Sequence, residues 1–159
     1  MQVIRGLLLA CLAFASGCSS DGDGGDSFDI GSGTLRGKVG GESWEFVAGE
    51  ASSPFSDDDT FFTDLYAAPL ANACRGGPTS SENHLIFNVP MKPGDYALSF
   101  QLTATFVLEG DGGTTDNLGA TRGRLVVEEV TDSLVRGKAH VVFDADNEVD
   151  GAFQVTRCP

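Results

Sequence analysis

Residues 134–157, Leu-Val-Arg-Gly-Lys-Ala-His-Val-Val-Phe-Asp-Ala-Asp-Asn-Glu-Val-Asp-Gly-Ala-Phe-Gln-Val-Thr-Arg, decide the fold. Ala139, Val141 and Phe143 occupy every second position before the Asp/Asn cluster, and Val149, Gly151, Phe153 and Val155 do so after it. A period of two places one face of each strand against a core. A three-residue loop, Ala145-Asp146-Asn147, suits a hairpin here, because Asn147 tolerates the left-handed conformation such a loop needs. It pairs Phe143 with Val149, Val141 with Gly151 and Ala139 with Phe153, all inward. A two-residue loop sets the same residues against Asp150, Ala152 and Gln154, so the hydrophobic register selects the longer one. A turn at Thr131-Asp132-Ser133 places Glu128 opposite Arg136, an ion pair worth under ~1 kcal/mol if exposed.

The same alternation extends upstream. Leu35, Gly37 and Val39 predict one strand, Gly40-Gly41 a turn, and Trp44, Phe46 and Ala48 a second strand. Residues 50–59, with Pro54 and the run Asp57-Asp58-Asp59, predict a polar loop. Phe61–Tyr66 carries acidic residues ahead of it, as a helix start does, but its aromatic and Thr content favours a strand. Leu85, Phe87 and Val89 form another. Pro93-Gly94 then turns the chain into a run whose Tyr96, Leu98, Phe100, Leu102, Ala104, Phe106 and Leu108 share one face. The Pro-Gly-x-Tyr-x-Leu start of that run resembles transthyretin-like and carboxypeptidase-regulatory β-sandwich modules. Residues 109–120 predict a long loop. The expected class is all-β: an antiparallel β-sandwich or flattened barrel of about seven to nine strands.

At the other end, Arg5 precedes the apolar run Leu7–Phe14, which has the length of a signal-peptide core and is too short to span a bilayer. Ala15-Ser16-Gly17-Cys18 closes it and resembles the lipobox of bacterial lipoproteins, with Ala15 where Leu is usual. Leu8-Leu9-Ala10-Cys11 fits the same pattern but leaves almost no apolar run before the cut. The resemblance implies cleavage after Gly17 and acylation of Cys18; ordinary cleavage without lipid is the alternative. The resulting division is a signal peptide over 1–17, lipidated Cys18 with an acidic Gly/Ser/Asp tether over 18–32, and one β domain over 33–159. As a flexible coil the tether spans roughly 20 Å. With Cys11 removed and Cys18 acylated, Cys74 and Cys158 remain, and in an exported protein they read as a disulfide.

The segment 1–17 holds one basic residue and no acidic one. The remainder therefore keeps all 23 carboxylates against nine basic residues, shifting the net charge from −13 to −14. Nucleic acid and anionic lipid surfaces are repelled by such a chain. The lipobox, the tether, the opening Leu35-Arg36-Gly37-Lys38-Val39 and the closing Asp150–Cys158 together resemble small envelope lipoproteins of the myxobacterial type. That resemblance implies the cell envelope, with anchorage at the outer membrane, and carries no activity with it.

Two groups of residues are candidate sites. In a meander the loops 109–120 and 145–147 emerge at one end of the sheet, gathering Glu109, Asp111, Asp116, Asp144, Asp146, Glu148 and Asp150. Asp144 opposite Glu148 is a like-charge pair that Ca²⁺ relieves, since it takes 6–8 oxygen ligands. Solvated hairpin tips explain the same residues, and no EF-hand pattern is present. The second group is Arg-Gly-(Lys/Arg), found three times: Arg36 and Lys38, Arg122 and Arg124, Arg136 and Lys138. On neighbouring strands these form a basic stripe for an anionic glycan or acidic partner, or else a charge-balanced solvent face. With two histidines and no nucleophile elbow, phosphate loop or dinucleotide fingerprint, catalysis has little support. The expected role is a non-enzymatic binding or structural module with an envelope protein or glycan as partner. A lipocalin-like carrier and an envelope hydrolase are the alternatives.

Overall fold

The computed structural model describes residues 28–53, 59–75, 77–79 and 82–159. The expected signal segment, Cys18, most of the tether and Asp57-Asp58 lie outside the described residues.

Eleven strands run through the described residues: β1 (Arg36–Val39), β2 (Glu42–Glu45), β3 (Ala48–Ser52), β4 (Thr60–Tyr66), β5 (His84–Pro90), β6 (Gly94–Ala97), β7 (Ala104–Glu109), β8 (Thr115–Ala120), β9 (Arg122–Val130), β10 (Leu134–Asp144) and β11 (Asn147–Arg157). Nine of them form one curled ladder, β6-β9-β10-β11-β3-β4-β5-β7-β8, shaped as a half-barrel, with the β1–β2 hairpin attached to β11. The all-β expectation holds. The sheet is mixed, however, because Thr156 and Arg157 of β11 run parallel to Glu50 and Ala51 of β3. Among the described residues no helix is long and apolar enough to cross a membrane.

β11 is the junction. Its first half pairs with β1, Asp150 facing Arg36 and Glu148 facing Lys38, while its last two residues pair with β3. The inward faces fill the half-barrel with Phe61, Phe87, Phe106, Leu65, Leu125 and Val141, all essentially buried. Burial of each such Phe or Leu contributes roughly 2–3 kcal/mol. Gly37 and Gly151 are among the glycines that permit close approaches no Cβ could share. A Cβ on Gly37 would lie 2.0 Å from the Glu148 carbonyl oxygen, and one on Gly151, whose φ is +134°, would lie 2.6 Å from that of Thr34.

Several sequence expectations are corrected. The β10–β11 loop has two residues, Ala145 and Asp146, because Phe143 bulges out of the ladder. Val141 therefore faces Val149, Ala139 faces Gly151, and Gly137 faces Phe153. The extra residue restores the inward alternation that a plain two-residue loop would break, and leaves Phe143 42% exposed. Asn147 is not left-handed; it is buried, and its side chain accepts from the Gly40 N–H at 2.8 Å and donates to Asp144 at 2.9 Å. Glu128 is likewise a bulged residue, so Arg136 faces Glu129, yet Glu128 still reaches Arg136 at 3.4 Å.

The run 96–108 is two strands rather than one. Ser99 breaks it: its hydroxyl accepts from the N–H groups of Gln101 and Leu102, both at 3.2 Å, and its N–H donates to the Leu102 carbonyl. β6 then ends one edge of the ladder while β7 pairs beside β5, and Phe100 at the crossing is 92% exposed. Residues 50–52 extend β3, and 115–120 form the edge strand β8, where the sequence predicts loops.

Candidate functional site

The β1–β2 hairpin organises one end of the half-barrel. Trp44 packs inward from β2, as its type predicts, and its indole N–H donates to the Asn83 carbonyl at 3.0 Å. The Asn83 side chain donates to the Val39 carbonyl at 3.1 Å and accepts from the Glu109 N–H at 2.9 Å. One amide thus fastens the ends of β1 and β7. Beside it lies a groove of about 330 Å³ lined by Val39, Glu42, Ser43, Trp44, Ala67, Glu82, Asn83 and Glu109. Nothing in the sequence marks Asn83: it is a polar residue just ahead of a strand, and its role follows only from what the fold brings to it.

Among the described residues the main chain of β2 is paired on one side only. Gly40 and Gly41 form a two-residue turn, so Val39 and Glu42 are its hydrogen-bonded closing pair. Glu42, Trp44 and Phe46 then aim their main-chain groups at β1, and the Phe46 N–H indeed donates to the Leu35 carbonyl. Ser43 and Glu45 aim theirs the other way, where β2 pairs with no described strand. The next residue in that series, Val47, donates its N–H to the Tyr66 carbonyl at 2.8 Å, and there β4 ends.

The acidic candidates are distributed along the same end. Asp146 meets the β1–β2 turn through its carbonyl, which accepts from the Gly41 N–H, while Glu109 sits across the turn at Asn83. Asp144 is occupied as the acceptor of the Asp146 N–H and the Asn147 amide. Glu148 pairs with His140 at 2.9 Å. Asp111 lies in the 3-10 turn Asp111–Gly113, and Asp116 on β8. Among the described side chains Glu109, Asp116, Asp144, Asp146 and Glu148 do not converge on a common point. The grouping that does converge is Glu50 with Cys74 and Cys158, whose sulfurs are joined as a disulfide and hold no thiolate for a metal.

The six basic candidates share the outer face of β9, β10 and β1, but β11 and its acids run between β10 and β1. Arg124 grips Asp95 through two bonds of 2.9 and 2.6 Å, and this holds the Asp95 carboxyl below its usual range. Lys138 meets Glu128 at 2.7 Å and Arg136 meets Glu129 at 3.0 Å; the Lys138 bond likewise holds Glu128 low. Arg36 faces Asp150 and Glu45, and Lys38 faces Glu148. Arg122 faces Val142. The surface is one of mixed charge.

Across that face runs the segment leading into β1. The Phe28 ring stands edge-on to His140 with centroids 5.2 Å apart, and its carbonyl accepts from Arg124. The Asp29 carbonyl lies 3.1 Å from His140 Nδ1, and the Gly31 N–H donates to Asp150 at 2.8 Å. Phe28–Gly31, assigned to the tether from sequence, are therefore held on the sheet.

On the opposite side, β3 and β4 bring Glu50 and Asp64 together as cross-strand partners. Burial and then the Glu50 charge push the Asp64 carboxyl up to about 6, and burial with Asp64 and Glu50 pushes Tyr66 well above its ordinary value. Glu50 accepts from the Cys74 N–H at 2.7 Å. Cys74, with φ of +65°, is the one non-glycine residue in the left-handed region among the described residues, held there by that bond and by the Cys74–Cys158 disulfide. His84 stacks on Tyr66 at 5.3 Å, with Nδ1 3.2 Å from the Glu82 carbonyl. Comparison with protein-family models, curated proteins and solved structures finds no match to this chain.

Proposed function

We propose that the chain is a lipid-anchored envelope protein whose β domain acts as a non-enzymatic binding or structural module. The observation that carries the binding role is the filled half-barrel: Phe61, Phe87 and Phe106 occupy its interior, so the domain offers partners its surface. A carrier of a small apolar ligand would need that interior as a cavity of several hundred Å³. The Cys74–Cys158 bridge supports export, because disulfides persist in oxidising compartments, and it leaves Cys11 and Cys18 as the remaining cysteines. Acylated Cys18 would attach the protein to the outer membrane, its partner being another envelope protein or a glycan. Intact-mass analysis of the protein from cells tests the anchor: the reading expects an N-terminal Cys18 carrying acyl chains, and Cys18→Ser protein in the soluble fraction. A mature chain without acyl mass would overturn it.

A further inference from the structure

We propose that the open edge of β2 is a strand-addition site for an extended, basic segment of another polypeptide. The inference rests on the binding-module reading and not on acylation of Cys18. β2 and β3 are one chain segment bent at Phe46–Val47, and β4 pairs with its β3 part before leaving at Tyr66. The lane that β4 follows continues beside Ser43 and Glu45, whose main-chain donors and acceptors face it. A peptide laid in that lane gains main-chain bonds from the edge and selectivity from the side chains that flank it.

Those side chains select the occupant. Residues of an added strand point alternately to the two faces of β2. On the Trp44 face they enter the groove, where Glu42, Glu82 and Glu109 surround a floor of Trp44 and Ala67. A Lys or Arg fits there, its aliphatic stem over the indole and its charge among the carboxylates. The same acids, with the net charge of −13, disfavour a second copy of this chain, whose β2 would bring its own Glu42 and Glu45 to the edge.

Trp44 is the sole tryptophan, so its fluorescence reports on the groove. The full chain in detergent micelles is titrated with a blocked octapeptide of alternating threonine and lysine. Two controls accompany it: the same peptide with glutamate for lysine, and the lysine peptide N-methylated at every main-chain nitrogen. A saturable Trp44 change with the lysine peptide is expected, with none from the glutamate peptide. Binding about tenfold weaker or worse is expected for the N-methylated peptide and for Glu42→Gln/Glu109→Gln protein. Both substitutions lie at the surface and leave the core intact. No saturable change with the lysine peptide overturns the proposal. So does equal binding of the N-methylated peptide, which would mean simple ionic association, or an unaffected double variant. None of these outcomes alters the mass of Cys18, which decides the anchor separately.

Discussion

Thr63 stands on the inward face of β4 opposite Ala51 and Phe87, fully buried, its hydroxyl without a hydrogen-bond partner among the described residues. An orphaned hydroxyl costs about 1–3 kcal/mol. Thr63→Val keeps the branched shape and is expected to raise stability by about 1 kcal/mol in urea unfolding. The next residue points outward and titrates. Asp64 has its folded value raised to about 6 from 3.8, chiefly by burial. The folded state therefore binds the proton more tightly than the unfolded one, and stability falls as pH rises through that window. Full conversion of the shift would give ~3 kcal/mol; solvent reaching the carboxyl reduces this to about 1–2 kcal/mol. Asp64→Asn is expected to lose this dependence, so that its advantage over wild type in urea melts is larger at pH 8 than at pH 4.

At the level of elements, the β10–β11 hairpin makes a sharper prediction. Deleting Phe143 removes the bulged residue and leaves Asp144 opposite Asn147, Val142 opposite Glu148 and Val141 opposite Val149. The deletion is expected to cost under about 1 kcal/mol, whereas Val141→Asp puts a carboxylate into the core opposite Val149 and is expected to abolish folding. Circular dichroism with thermal melts separates the two. This hairpin also marks what sequence can reveal. Alternation located the buried strands and most of their inward faces, because the core imposes it on buried positions, but not the largely exposed edge strand β8. Bulges at Phe143 and Glu128 stayed hidden, since one extra residue costs the pattern nothing when the ladder absorbs it. The break at Ser99 stayed hidden for a related reason: the apolar alternation continues through it, and only the hydroxyl closing its own turn divides β6 from β7. Asn83, which fastens the candidate groove, lies outside any periodic run, so its role depends wholly on Val39, Trp44 and Glu109 arriving beside it.

For the whole molecule, the disulfide closes 84 residues of separation. Cys74→Ser/Cys158→Ser is expected to lose about 2–5 kcal/mol, and reductant should lower the wild-type melting temperature to that of the variant. Equal melting temperatures for the oxidised wild type and the double variant would contradict this. The bridge and the leading segment act on the same strand. Phe28–Gly31 grip His140 and Asp150, Leu35 N–H bonds the Ala152 carbonyl, and β11 then runs to Cys158, where the bridge fastens it to Cys74. Tension arriving from the N-terminal side would thus be delivered to β11, the strand whose far end is covalently bolted. The domain would resist a pull from its N-terminal side as a shackle does, by passing the load straight to a pin.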